Sequence, residues 1–333
     1  MRKSFVFRQV LAIALVISTT IPAWANSPSG ISDSLALLPA SDAVAVIDVS
    51  RVMNELLPQI RNISPDMAKS VEKGLNEMVG ATGIDLTKVR SAVIGMSLAG
   101  QNASGAAIIE GVAFDAGKIQ AALKDKKQET KVVEYKGKQL YVVPSKDAAK
   151  TGEKVGLGID GDFAFTQIGS DRIAVGTLSG VKGVVDGGSG NANSAIGAVL
   201  EQTKAGLIRF AANIPDSAKD GLAAQGDLFK QIATIKLMFG TFDMSSDFSV
   251  SLDTKMRTGN TDDASKLQTS LAGLVGIGKM FLGGNNDPTM TAINSVLDMI
   301  RIGAEGNDVS MGLTIPRSVF DKIAEASKKK PAK

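Results

Sequence analysis

The sequence has no cysteine and no histidine among its 333 residues. A Ser-His-Asp triad, a Cys-His pair and a zinc site of the usual His/Cys type are therefore impossible. The commonest general base near neutral pH is missing as well. Serine–lysine chemistry, paired carboxylates and metals with oxygen ligands remain available. We therefore predict a protein that is not an enzyme and that uses no cofactor.

The chain also lacks disulfides and any later apolar run of 18 residues, so we expect packing alone to hold the fold and no helix to span a membrane after the leader. Residues 1–25 have the features of a secretory signal peptide. They comprise the basic residues Arg2, Lys3 and Arg8, a short apolar run over residues 10–17, and the site Ala23-Trp24-Ala25. We predict cleavage after Ala25 and a periplasmic or extracellular location.

Charge of one sign is not in excess once this leader is removed. The net charge of +3 comes from 37 basic and 34 acidic residues, and three of the basic residues lie in the leader. A neutral mature chain gives no electrostatic reason to expect nucleic acid as a partner. We expect an unknown protein or an apolar small molecule instead.

The order of predicted elements indicates an α+β fold built from two similar repeats of mostly antiparallel sheet with packed helices. Each begins with an apolar strand, over residues 43–49 and 206–215, and ends in a hairpin followed by a helix. The hairpin sequences IGSDRIAVG and EGNDVSMG resemble each other. The predicted boundaries are a first repeat at 26–186, a linker at 187–192, a second repeat at 193–327 and a basic tail at 328–333.

Local signals place several turns and helix ends. Glycine first in a two-residue turn favours positive φ, so we expect valine at Gly169 or at Gly306 to strain a hairpin by about 1–3 kcal/mol. Lys136-Gly137 predicts another hairpin turn. Ser64 and Pro65 predict the start of a helix, whose apolar positions at helical spacing, Val71 among them, we expect to face the core. We also expect Asp115, Ser179 and Asp262 to cap helices and Asp85 to cap a single helical turn.

Three stretches of the sequence resemble segments of a known group of proteins. LLPASDAVAVIDVSRVMNEL, TGIDLTKVRSAVIGMSL and the join FDAGKIQAAL are similar to segments of exported bacterial proteins of uncharacterised function. The resemblance covers most of the mature chain and implies the fold and the export. It implies no activity, cofactor or catalytic residue.

Two stretches match nucleotide-binding patterns. GLVGIGKM, from Gly273 to Met280, differs from a phosphate loop only where Met280 replaces the hydroxyl residue that would hold magnesium. The preceding residues predict a helix through this stretch, so its backbone would not surround a phosphate, and we attribute its glycines to close helix packing. GLGIDG, residues 156–161, precedes a strand instead of a helix, which argues against a dinucleotide site.

A third match is to the serine enzymes that recognise penicillin. Ser70 and Lys73 form S-x-x-K, and Lys150 begins a K-T-G sequence. The S-D-N element is absent, and K-T-G lies in a polar loop where these enzymes have a strand. The acidic pairs Asp160/Asp162 and Asp262/Asp263 do not fit a calcium loop, and we assign them to turns and helix caps.

These observations favour an exported, non-enzymatic binding or scaffold protein. A carrier of an apolar small molecule is the first alternative, because methionines and apolar helices (residues 271–282 and 293–300) are concentrated in the second half. A Ser70/Lys73 hydrolase is the second alternative. We predict no catalytic, cofactor-binding or metal-binding residue.

Overall fold

A computed structural model describes most of the chain beyond residue 30. The described residues are 31–63, 65–97, 104–125, 130–144, 161–188, 194–216, 219, 224, 226–283 and 288–328. They fall into two compact units, residues 31–202 and 203–328. The fold is α+β, and the strand pairs within each unit are antiparallel, as the sequence predicts.

The first unit contains seven strands and several helices among its described residues. The strands are β1 (Ala43–Asp48), β2 (Ser91–Ser97), β3 (Ser104–Glu110), β4 (Lys131–Tyr135), β5 (Lys138–Val143), β6 (Phe163–Gln167) and β7 (Arg172–Thr177). The helices are α1 (Ile31–Leu37), α2 (Val49–Arg51), a π-helical segment (Val52–Leu56), α3 (Leu57–Ile63), α4 (Pro65–Thr82), a 3-10 turn (Leu86–Lys88), α5 (Ala116–Asp125), α6 (Leu178–Val185) and α7 (Ser194–Gln202).

The second unit contains five strands among its described residues. They are β8 (Ile208–Asn213), β9 (Leu237–Met244), β10 (Val250–Arg257), β11 (Arg301–Glu305) and β12 (Asp308–Ile315). The helices are α8 (Asp227–Ala233), α9 (Thr261–Gly283), α10 (Pro288–Asp298) and α11 (Arg317–Lys328). No helix in the described ranges is both long and apolar enough to cross a bilayer.

The strand orders of the two units are related. The first unit has the order β1-β2-β3-β7-β6-β5-β4, and the second has β8-β9-β10-β12-β11. In both, three successive strands pair in sequence, and the last strand of the unit then pairs with the third. The β4–β5 hairpin is the extra element of the first unit. The two units divide between Gln202 and Thr203, beyond the predicted linker at 187–192. Descent of both from one repeat stays a prediction.

Apolar side chains of sheet and helices form the core of each unit. In the first unit Leu123, Tyr141, Val143 and Phe165 pack together, with the Tyr141 and Phe165 rings stacked 5.2 Å apart. In the second unit the buried cluster comprises Ile235, Met256, Ala264, Leu267 and Val309. This cluster shows that α9 packs on one face of the sheet formed by the strands of the second unit. The opposite face of that sheet carries the polar residues of the alternating strand pattern.

A buried carboxylate joins several elements of the first unit. The Glu110 side chain is 1 % exposed. It accepts hydrogen bonds from the hydroxyls of Ser34 and Ser91, the latter at 2.8 Å, and its Oε1 lies 3.7 Å from Nε of Arg172. Because buried polar groups need partners, this network ties α1 and two strands to a single carboxylate.

Several predicted helix ends are confirmed. The Asp115 carboxylate accepts from the Lys118 backbone N–H at 3.1 Å, and that of Asp85 accepts from Thr87 at 3.1 Å. Two predicted caps are each wrong by two residues. Thr177, not Ser179, caps α6, and Asn260, not Asp262, accepts from the N–H of Asp263 at the start of α9. Capping needs an oxygen aimed at the first turn, and several neighbouring residues of these stretches carry one.

The hairpin predictions are partly confirmed. Lys136 and Gly137 both have positive φ, and Gly306 has a φ of +55° in a two-residue connection between Glu305 and Asp308. The prediction for Gly169 is wrong, because its φ lies outside the left-handed region. Three residues, not two, separate Ile168 from Arg172, whose carbonyl accepts from the Ile168 N–H at 3.0 Å. The longer connection removes the requirement for glycine.

The prediction that Val71 faces the core is also wrong, since its side chain is 39 % exposed. Helix α4 does begin at Pro65, as predicted, whereas Ser64 lies outside the described residues. Among the side chains that the structure describes in this part of the helix, that of Ala68 is buried. Helical spacing identified an apolar stripe, but spacing alone does not show what covers that stripe.

Candidate binding groove

The second unit has an open groove on the sheet face opposite α9. Its volume is about 440 Å³. It runs across β9, β10, β12 and β11, with residues 203 and 204 forming one wall. It is lined by Thr203, Lys204, Phe239, Gly240, Thr241, Asp253, Thr254, Lys255, Arg301, Ile302, Gly303, Ser310, Met311 and Gly312.

Strand register places the groove residues in two rows. The pairs Asp253–Thr241, Asp253–Gly312 and Arg301–Gly312 align one row across four strands. In the same way, Lys255 pairs with Phe239 and with Ser310, and Ser310 pairs with Gly303. Because side chains alternate between the two faces of a sheet, each row projects to the same side.

Glycine creates a depression within these rows. A Cβ at Gly312 would lie 3.3 Å from Oδ1 of Asp253 and 3.9 Å from Nε of Arg301. The carboxylate and the guanidinium therefore lie on either side of a stretch of bare backbone. Gly303 and the small Ser310 continue this gap in the next row. Glycine within a strand allows a ligand or another backbone to approach closely.

The wall at residues 203 and 204 is held by the strand next to it. The Thr241 hydroxyl donates to the carbonyl of Lys204 at 2.9 Å. A Cβ at Gly206 would lie 2.1 Å from the Thr241 methyl carbon, so only glycine lets this segment lie against β9. The same segment carries the Lys204 ammonium, whose Nζ lies 3.7 Å from Oδ2 of Asp253.

The groove carries more positive than negative charge. Its side chains include three cations, Lys204, Lys255 and Arg301, and a single carboxylate, Asp253. Lys204 is the cation that pairs with that carboxylate. Among the described residues, no carboxylate oxygen lies within 4 Å of the Lys255 ammonium or the Arg301 guanidinium. An anion entering the groove would therefore meet two cationic side chains that no carboxylate contacts.

A third row closes one end of the groove. Arg257 donates two hydrogen bonds to Asp308, at 2.8 and 2.9 Å. These bonds lower the pKa of the Asp308 carboxyl below its ordinary value and raise the pKa of Arg257. The guanidinium carbon also lies 5.5 Å from the centre of the Phe239 ring, a cation–π distance. The pair thus fixes the buried ring at the groove floor.

The motifs singled out in the sequence lie elsewhere. Gly273 to Met280 is part of helix α9, as predicted, and Lys279 forms an ion pair with Asp298 at 2.9 Å. Close packing accounts for Gly278, where a Cβ would lie 3.1 Å from Leu297, but not for Gly273 or Gly276, which have open space around them. That part of the packing prediction is wrong. In GLGIDG, residues 156–160 lie outside the described part of the chain.

The serine–lysine pair is not assembled into a site by the described residues. Ser70 is exposed, and its hydroxyl donates to the Asp66 carbonyl of its own helix at 3.0 Å. Lys150 lies outside the described residues.

The acidic pairs form no metal site among the described residues. Asp160 lies outside the described residues, and Asp262 forms an ion pair with Lys266 at 2.6 Å. Within the ranges that the structure describes, no group of three or more carboxylates is placed to hold a metal ion.

Sequence reasoning missed the groove residues altogether. The alternation in β10 showed that Lys255 lies on a polar face, yet nothing in the sequence related it to Arg301. The register of β10, β12 and β11 supplies that relation. Glycines at polar positions of the strands, Gly303 and Gly312, were the one available signal.

Comparisons with known proteins give structural neighbours only. No family model and no curated protein matches it. Two solved structures of the Treponema protein TP0453, crystal forms I and III, are similar to it. They share 8 % and 9 % sequence identity with the chain, cover 89 % of it, and are themselves covered over 97 % and 98 % of their length. The TM-scores are 0.44 and 0.45, a level at which the likeness assigns neither family nor function.

Proposed function

We propose that this chain is an exported, non-enzymatic binding protein that holds a small organic anion with an apolar body in the groove of its second unit. The arrangement around Gly312 carries the proposal. Bare backbone lies there between Asp253 and Arg301, and the guanidinium that borders it has no carboxylate oxygen within 4 Å among the described residues. Export is inferred from the leader sequence.

The anionic group of the ligand would bind Arg301. A guanidinium presents several N–H donors in one plane, which suits the paired oxygens of a carboxylate, sulfonate or phosphate. Lys255 lies across β12 from β11 and adds a second positive charge. The excess of cations over carboxylates among the residues that line the groove favours an anionic ligand over a cationic one.

The rest of the ligand would lie against apolar surface. The Cα methylene groups of Gly303 and Gly312, the threonine methyl groups and the alkyl stems of the lysines provide this surface. A volume of about 440 Å³ is within the range of small-molecule sites. The groove is open and bordered by charge, so we prefer an amphiphilic anion to the wholly apolar ligand considered from the sequence.

The groove side chains favour binding over catalysis. Asp253 is the single carboxylate lining it, so the groove offers no pair of carboxylates for acid–base work. The Ser310 hydroxyl points to the Gly303 carbonyl at 3.4 Å and to no base. The Ser310 hydroxyl is therefore better suited to orienting a ligand than to taking part in a reaction.

A pair of fluorescent probes tests the proposal. 8-Anilinonaphthalene-1-sulfonate has an apolar aromatic body and an anionic group, and N-phenyl-1-naphthylamine has the same body without the charge. We expect the purified protein to bind the sulfonate at one site. Arg301→Gln should weaken that binding about tenfold, the effect of one charge-assisted hydrogen bond, and leave binding of the neutral probe unchanged.

Two further variants complete the test. Gly312→Val fills the gap between Asp253 and Arg301 and should weaken both probes. Lys266→Gln removes an exposed cation from α9, outside the groove, and serves as the matched charge control. Equal losses in Lys266→Gln and Arg301→Gln, or unchanged sulfonate binding in both groove variants, would rule out the groove as the site.

A further inference from the structure

The C-terminal half of α9 exposes large apolar side chains to solvent. Leu274 and Ile277 are 49 % and 53 % exposed, and Met280 and Phe281 are each 82 % exposed. Together with Gly273 and Gly276 they form one continuous surface, here called the α9 apolar face. Large exposed apolar patches are associated with sites of interaction with proteins or membranes.

Helix geometry places all six residues on one side of α9. At 100° per residue they span about 160° of the helix circumference. The opposite side is anchored, because Ala264 is buried and Leu271 packs against the core of the unit. Lys279 lies beside the face, and its ammonium group forms an ion pair with Asp298. The face itself therefore carries no charged or polar side chain.

The two glycines of this face are not explained by packing within the chain. A Cβ at Gly273 or Gly276 would meet no atom within 4 Å. Glycine inside a helix is less favourable than alanine. Neither position has a turn or a positive φ to require it. Close approach of a second helix from outside the chain would give these glycines a physical reason.

We propose that the α9 apolar face is the contact between two copies of this chain. The face is self-complementary, because it presents bulky side chains beside glycine gaps. Under a two-fold axis, Ile277 and Phe281 of each copy would lie over the gaps at Gly273 and Gly276 of the other. A patch without charge also gives no electrostatic attraction for an anionic lipid surface, which basic interfacial helices use.

The size of the face predicts a weak association. The four exposed side chains offer roughly 500 Å² per copy, or about 1,000 Å² in total, at the lower limit for a specific interface. Dissociation constants in the micromolar range are therefore expected. Association on α9 is independent of the groove, whose residues belong to the strands and to residues 203 and 204.

Sedimentation velocity on the full chain, from about 1 to about 500 μM, tests the proposal. We expect a monomer–dimer equilibrium that Ile277→Asp weakens at least tenfold. Gly276→Leu is the sharper variant. Leucine adds apolar surface but fills the gap at Gly276. It should therefore weaken an association that depends on close helix packing, and strengthen one that depends only on the burial of apolar surface.

Val132→Asp, at an exposed valine of β4, is the matched control and should leave the equilibrium unchanged. Circular dichroism checks that each variant is folded. A chain that stays monomeric at the highest concentration, or a Gly276→Leu variant that associates more strongly, would overturn the proposal. So would monomeric protein that binds neutral phosphatidylcholine vesicles and loses that binding in Ile277→Asp, since the face would then belong to a lipid surface.

Discussion

Valine at Gly306 should destabilise the protein, whereas valine at Gly169 should not. Gly306 has a φ of +55° in the two-residue turn between β11 and β12. A β-branched residue held there costs about 1–3 kcal/mol through backbone strain. A Cβ at Gly306 would meet no atom within 4 Å, so steric contact adds nothing to this cost.

Valine at Gly169 would meet neither backbone strain nor a close steric contact. Its φ lies outside the left-handed region, and the nearest atom to an added Cβ is the Arg172 Cβ, at an ordinary contact distance of 3.8 Å. Surface substitutions without a specific mechanism usually change stability by less than about 0.5 kcal/mol. The two hairpins resemble each other in sequence, so they form a matched pair that differs mainly in backbone conformation.

Urea denaturation followed by circular dichroism measures the difference, with scanning calorimetry to separate the two units if they unfold independently. Gly306→Asn should lose less stability than Gly306→Val, because asparagine tolerates positive φ better. Equal losses at Gly169 and Gly306, or no loss at Gly306, would refute the reasoning from turn geometry.

Two further predictions follow from other contacts, and a third follows from the sequence. Glu110→Ala should cost about 2–4 kcal/mol, measured by urea denaturation, because the buried hydroxyls that donate to the carboxylate lose their acceptor; a loss below about 1 kcal/mol would mean that water replaces it. Since Arg257 lowers the pKa of Asp308, their pair stabilises the fold above the carboxyl's unfolded pKa of about 3.9, and this contribution disappears as pH falls through the lower folded pKa. Arg257→Gln should therefore cost about 1 kcal/mol at neutral pH and progressively less below about pH 4, and a constant difference would contradict the assignment. Trp24 is the one tryptophan, so protein exported and cleaved after Ala25 should show no tryptophan emission, and strong emission would refute the cleavage.

The sequence predicted elements whose cause is local. Alternation along β10, the cap at Asp115 and the turn at Lys136-Gly137 depend on residues only a few positions apart, and these predictions are confirmed. A hairpin such as that at Gly169 depends also on the number of residues between the paired strands. One additional residue changed its turn and removed the need for positive φ.

Features that depend on distant pairing were not predictable from one sequence. Arg301 and Lys255 reach the same groove because β12 lies between β11 and β10. Helical periodicity likewise grouped Leu274 with Leu267, although the structure buries Leu267 and leaves Leu274 half exposed. Periodicity identifies which residues share a face, whereas exposure depends on what other elements cover.

The most direct test of the proposed function is an NMR titration of the isotopically labelled protein with 8-anilinonaphthalene-1-sulfonate. The titration tests whether an anion binds over the bare backbone between Asp253 and Arg301. We expect the amide signals of Gly303 and Gly312 to shift most, and those shifts to disappear in Arg301→Gln. Shifts confined to residues 273–281 of α9, or shifts at Gly303 and Gly312 that persist in Arg301→Gln, would contradict the assignment.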